Sequence, residues 1–85
     1  MKIFVDIDET ICVSPEDRDY SKAEPLQENI ALINGLYDAG HEITYWTARG
    51  TVTGIDWSSV TLEQFKKWRV KYHDLMFQKP PYDIF

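Results

Sequence analysis

Residues 1–10 read MKIFVDIDET, an apolar run that ends in acids, Asp6, Asp8 and Glu9, with a hydroxyl at Thr10. A strand with one face in water alternates apolar and polar residues, whereas Ile3, Phe4, Val5 and Ile7 nearly fill this one. That pattern predicts a strand covered on both faces, as in the middle of a parallel sheet. Acids at the carboxyl end of such a strand stand where open α/β sheets bind their ligands.

Working outward, residues 14–25, SPEDRDYSKAEP, carry two prolines and six charges and predict a surface flap beside the acidic end of the first strand. Pro25 suits the first turn of a helix, and Leu26, Ile30, Ile33 and Tyr37 repeat at spacings of 4, 3 and 4 before Gly40 stops it. Residues 41–50, HEITYWTARG, predict a second strand over 43–46 that ends at Thr47, then a glycine-bearing loop to about Ser59. Thr61 with Gln64 resembles a capping box, and Leu62, Phe65 and Trp68 continue a helix reaching Arg69 or Tyr72. Leu75, Met76 and Phe77 form a third apolar run leading to Lys79, and Asp83, Ile84 and Phe85 would begin a fourth strand. Strand, helix, strand, helix, strand predicts one α/β domain over residues 1–85, its parallel sheet built by right-handed crossovers.

Composition narrows the function classes. A net charge of -5, from 9 basic and 14 acidic side chains, argues against broad nucleic-acid or anionic-membrane binding, both of which need a basic surface. Cys12 is alone, which excludes an internal disulfide and a cysteine-based zinc site and predicts a small buried residue in a reducing compartment. No stretch approaches the roughly 20 apolar residues of a membrane span, and no basic-then-apolar start marks a signal peptide, so a soluble cytoplasmic protein is expected.

The carboxyl ends of parallel strands share one sheet edge, so Asp6, Asp8, Thr47 and Lys79 are expected to converge across gaps of 41 (47 - 6) and 32 (79 - 47) residues. Together they offer the parts of phosphoryl transfer. Asp6, nearest the strand, could attack phosphorus and form an aspartyl phosphate. Asp8, two residues on and projecting to the same side, could protonate the leaving oxygen and then deprotonate water. Mg²⁺ prefers oxygen ligands, which Asp6 and the main-chain carbonyl of Asp8 could begin to supply. Thr47 would donate its hydroxyl to a phosphate oxygen, and Lys79 would offset the charge shared by phosphate and Asp6. Taken alone, Asp8 and Thr10 could equally cap a turn. Trp46, Trp68, Phe65 and Phe77 are expected in the core, and His41 and His73 at the opposite sheet edge.

DIDET at 6–10, YWTARG around Thr47 and FQKPPYD around Lys79 resemble, in order, the first three motifs of the haloacid dehalogenase superfamily of phosphatases and phosphotransferases. The resemblance implies a Rossmann-like, three-layer parallel sheet with the first strand central, Asp6 as nucleophile, Asp8 as acid and base, and Mg²⁺ as cofactor. Asp8 selects phosphatase or phosphomutase chemistry, because the dehalogenating and ion-pumping branches lack an acid there. Glu9 stands where glycine is commoner. The stretches YWTARGTVTGIDW and KYHDLMFQKPPYDIF are similar to small phosphatases of capsular or surface-polysaccharide synthesis. That makes sugar phosphates the first substrate class to test, with Arg49, Asp56 and Trp57 as candidate contacts or as loop packing. The intervals between motifs leave room for no large cap.

The superfamily's fourth motif, an acidic pair after the fourth strand, would lie beyond Phe85, so a truncated sheet with an open flank on its first strand is expected. An open flank favours a homo-oligomer formed by strand pairing or exchange. Two rivals remain: a catalytically incomplete phosphate-binding or structural module or fragment lacking the fourth motif, and a phosphorylation-driven receiver, which the DxDxT spacing disfavours.

Overall fold

The opening apolar run forms β1 (Lys2–Val5). The computed structural model describes residues 1–17, 19–50 and 54–77. After a tight turn, β2 (Cys12–Val13) pairs antiparallel with β3 (Glu24–Pro25), and these two short strands close the base of the flap. Next come α1 (Gln27–Asp38), β4 (Glu42–Trp46), α2 (Ser58–Trp68) and β5 (Asp74–Met76). The result is a small α/β fold with a three-stranded parallel sheet in the order β1–β4–β5. Its register sets Ile3 beside Ile43, Val5 beside Tyr45, and Tyr45 beside Leu75.

Side chains on a strand alternate between faces, so Ile3, Val5, Ile43, Tyr45 and Leu75 share one face of this sheet. Ile30, Ile33 and Tyr37 of α1 and Phe65 and Trp68 of α2 pack in the same apolar cluster. Both helices therefore cover one face. Phe4, Thr44, Trp46 and Met76 occupy the other, where Phe4 is 53% exposed and lies 6.2 Å from Trp46, ring to ring.

Two expectations are corrected here. The described sheet has two layers rather than three, because strands laid down in chain order place two right-handed crossovers on the same side. Nor is β1 covered on both faces: among the described residues it pairs with β4 alone and stands at the edge of the described sheet, β4 takes the middle with Ile43, Thr44 and Tyr45 all buried, and the fourth strand expected from Asp83 lies outside the described residues. A nearly continuous apolar run had suggested two covered faces, yet Phe4 faces outward.

Helix α1 follows its expected stripe and ends at Gly40, whose φ of +98° suits glycine. The second helix departs from expectation. It starts at Ser58, three residues before the supposed capping box, and Thr61 and Gln64 are buried within it, whereas Leu62 is 48% exposed. Arg69, in the left-handed conformation at φ 59°, ends it before Tyr72. His41 and His73 lie at the amino edge of the sheet as expected, with His73 Nδ1 accepting from the Ile43 N–H and its ring stacked on Tyr37. Among the described residues no helix is long and apolar enough to cross a membrane.

Tyr45 sits at the centre of the core, edge-on to Phe65 at 5.0 Å. Among the described residues its buried hydroxyl has no hydrogen-bond partner, and burial raises its pKa. A buried hydroxyl without a partner costs more than it contributes. Tyr45→Phe is therefore expected to leave stability unchanged or raise it by up to about 1 kcal/mol in urea unfolding; a loss beyond about 1 kcal/mol would show that the hydroxyl is satisfied.

Candidate functional site at the carboxyl edge of the sheet

Asp6 follows β1 directly, and the chain then folds back on itself. Ile11 N–H donates to the Ile7 carbonyl (2.9 Å), Glu9 N–H to the Cys12 carbonyl (2.8 Å), and Asn29 of α1 holds the Thr10 carbonyl (2.8 Å). The turn forces Glu9 to φ 64°. A side chain at positive φ costs roughly 1–2 kcal/mol relative to a relaxed conformation. Glu9→Gly is accordingly expected to stabilise the fold by about 1 kcal/mol, less the flexibility that glycine adds to the unfolded chain, as read from a thermal or urea midpoint.

Beyond this turn opens a cleft of about 430 Å³, lined by Asp6, Asp8, Glu9 and Glu16 on the acidic side and by Thr47, Arg49 and Tyr20 opposite. Three of the four residues expected to converge thus do so: Asp6 and Asp8 from the end of β1, and Thr47 from the end of β4. The fourth, Lys79, lies outside the described residues. Thr47 is almost wholly buried, and its Oγ1 accepts from the Arg49 N–H (3.1 Å). A hydroxyl that accepts in this way still has one O–H to donate.

Asp8 is a heavily engaged carboxylate. Its Oδ1 accepts from Arg49 Nη2 (2.9 Å) and Ser14 Oγ (2.5 Å), with Arg49 Nε near both oxygens (3.3 and 3.1 Å). The guanidinium continues into α2, where Nη1 donates to Thr61 Oγ1 (3.0 Å) and Gln64 Oε1 (2.7 Å), and Nη2 also meets Cys12 Sγ (3.6 Å). Arginine has five N–H donors, and each finds an acceptor here. The Arg49 side chain is 0% exposed. Above it lies the Tyr20 ring, 4.8 Å from the guanidinium carbon, and Gln64 Nε2 holds the Tyr20 carbonyl (2.5 Å). The turn, the flap and α2 are thereby joined through one cation.

The three expected substrate contacts look different in this light. Arg49 lines the cleft, yet its donors are spent on the protein. Asp56 accepts from the hydroxyl (2.6 Å) and the N–H (2.9 Å) of Ser58, which hold its exposed carboxyl below the usual range in a local turn just ahead of α2. Trp57 sets its edge against Tyr20 (5.1 Å) and, with Asp56, lines a smaller neighbouring recess of about 220 Å³. Gly50 closes the loop between them: its φ is +80°, and a Cβ would stand 2.0 Å from the Ile55 carbonyl oxygen. Cys12 is buried as expected, and burial pushes its thiol up to about 12, so it stays protonated at neutral pH.

Ser14, Thr61, Gln64 and Tyr20 belong to the site and were missed in the sequence. A signal existed for two of them: Thr61 and Gln64 lie three apart, on the stripe that also carries Phe65 and Trp68, and polar residues on a buried stripe need a partner. Among the described residues no group of three or more His, Cys, Asp or Glu could hold a metal ion.

No protein-family model matches the chain, and no curated protein does. Among solved structures it is similar to a crystal structure of an MCSG target from Vibrio cholerae, with a TM-score of 0.82 and 26% identity over 93% of this chain and 70% of that one. The likeness supports the α/β architecture, and that structure's name states no activity.

Proposed function

We propose that the chain is a Mg²⁺-dependent phosphomonoester hydrolase of the haloacid dehalogenase type, with sugar phosphates as its first candidate substrates. The observation that carries this reading is the meeting of Asp6, Asp8 and Thr47 in one cleft at the carboxyl edge of a parallel sheet. In the proposed reaction an Asp6 carboxylate oxygen attacks phosphorus, and the P–O bond to the leaving group breaks as Asp8 gives that oxygen its proton. Asp8 then takes a proton from water, which attacks the aspartyl phosphate, releasing inorganic phosphate and restoring Asp6. Both Asp8 oxygens accept from Arg49, Oδ1 from Nη2 and Oδ2 from Nε, and Oδ1 accepts from Ser14 as well, so Oδ2 is the oxygen with a lone pair left to carry the proton. Thr47 donates to the phosphoryl group.

The donor set fits Mg²⁺ in part. This ion commonly takes one or two carboxylates and fills its shell with water and substrate phosphate oxygens. Asp6 and the main-chain carbonyl of Asp8 would hold it, since the Asp8 carboxylate belongs to Arg49. Bound there, the ion would supply charge to quench the phosphoryl oxygens.

A second reading, a phosphate-binding module without turnover, draws on that same commitment of Asp8. The two separate in one assay. Mg²⁺-dependent release of phosphate from p-nitrophenyl phosphate, abolished by a chelator and restored by Mg²⁺, is expected for the hydrolase. Binding of inorganic phosphate without turnover of any ester would favour the module.

A further inference from the structure

We propose that Arg49 is a positioning residue for Asp8 rather than a ligand for the phosphate, and that Gln64 ties this positioning to the seating of the flap at Tyr20. An arginine at the edge of an acidic cleft invites assignment as the anion-binding group. The geometry points elsewhere. Nε and Nη2 grip Asp8 side-on, Nη1 is used up by Thr61 and Gln64, and the remaining Nη2 hydrogen meets Cys12 Sγ. For phosphate to gain a donor, one of these contacts would have to break: at Nε, at Nη1 or at the Asp8 side of Nη2 that leaves Asp8, Thr61 or Gln64 short of a buried hydrogen bond, which is costly, and the one weaker contact, to Cys12 Sγ, is itself buried. The side chain is also wholly shielded from solvent.

What Arg49 does fix is the plane of the Asp8 carboxyl. A two-point grip by a planar fork sets both rotation and distance, and lysine, a point charge, cannot reproduce it. Gln64 adds the coupling, with its oxygen on Nη1 and its nitrogen on the Tyr20 carbonyl, while the Tyr20 ring covers the guanidinium. Asp8 is thus aimed by a strut that reaches the flap.

The kinetic side of this inference rests on the hydrolase reading; the spectroscopic side does not. A misaimed general acid matters most when the leaving group needs a proton. Arg49→Lys is therefore expected to lower kcat/KM for a primary alkyl ester, glycerol 1-phosphate, on the order of 100-fold, the usual worth of positioned acid catalysis. For p-nitrophenyl phosphate, whose leaving group departs unaided, the fall should stay within about 5-fold, since the acid contributes little there. Gln64→Met should show the same asymmetry at smaller size. Equal falls for both esters, with KM raised, would overturn the proposal in favour of a phosphate ligand; equal falls with a matching loss of folded protein would overturn it in favour of a merely structural role. Independently, ¹⁵N–¹H spectra of the unmodified chain should resolve the Arg49 Nε–H and Nη–H signals as slowly exchanging. Saturating inorganic phosphate with Mg²⁺ should leave them in place. Migration of the Nη signals with phosphate would refute the proposal whether or not the protein turns over any ester, whereas inactivity of the unmodified chain toward both esters would count against the hydrolase reading alone.

Discussion

Asp6→Asn is expected to abolish phosphate release, with kcat/KM for any phosphomonoester falling by on the order of 10⁴-fold or more, as when a covalent nucleophile is removed elsewhere. The amide is nearly the same size but cannot attack phosphorus, so the first displacement has no acceptor. Asp6 is exposed, and a surface exchange of this kind ordinarily moves stability by no more than about 0.5 kcal/mol. Loss of activity together with an unchanged unfolding midpoint is therefore the expected pair of results. Acid quenching during turnover should trap a chain heavier by one phosphoryl group in the unmodified protein and none in the variant. Full activity in Asp6→Asn would transfer the nucleophile's role to another group or to water, and the reading of residues 6–10 would fall with it.

The largest effect on folding is expected from Phe65→Ala. Phe65 is 1% exposed and sits edge-on to both Tyr45 (5.0 Å) and Tyr72 (5.1 Å), so truncation opens a cavity at the point where α2 meets β4. Phenylalanine-to-alanine exchanges in cores cost about 3–5 kcal/mol, with a further contribution from lost ring pairs. A domain of 85 residues has a total stability of only about 4–13 kcal/mol, small domains lying toward the lower end. The variant should be largely unfolded or close to it at 25 °C, seen as loss of near-ultraviolet circular dichroism and of a cooperative urea transition. Leu62→Ala, on the exposed side of the same helix, should differ from the parent by less than about 0.5 kcal/mol. If the two variants lost equal stability, the described facing of α2 would be wrong.

That contrast also shows where the sequence was readable. Strong periodicity placed α1, a β-branched and aromatic run placed β4, and a short apolar run at Leu75, Met76 and Phe77 placed β5. Asp6, Asp8 and Thr47 could be assembled in advance, since parallel strands bring their carboxyl ends to one edge whatever the loops do. Single residues on the two sheet faces were not legible in the same way. Phe4 and Val5 look alike in composition, and what separates them is the side on which the crossovers fall, a property of the whole topology. Leu62 misled for a similar reason: an apolar residue at helical spacing fits a buried stripe, but the stripe is set by Phe65 and Trp68, with Thr61 and Gln64 drawn inward by a cation twelve and fifteen residues away in the chain. Arg49 itself could be noticed and not assigned, because a donor's commitments depend on side chains that no local pattern announces. Asp56 was the reverse case: its partner Ser58 lies two residues on, so the pairing is local enough to be legible in the sequence.

The strand order β1–β4–β5 carries a consequence for how the chain matures during synthesis. β1, α1 and β4 precede α2 in the chain, and strands that neighbour one another in chain order need no long-range exchange of partners to assemble. The acids at the end of β1 are thus in place early, but the cation that holds Asp8 gains its own anchors, Thr61 and Gln64, when α2 docks. Without α2 in place the Asp8 carboxylate is gripped by a cation whose Nη1 has neither Thr61 nor Gln64 to hold it. The geometry of the cleft thus depends on the docking of a helix that contributes none of its acids.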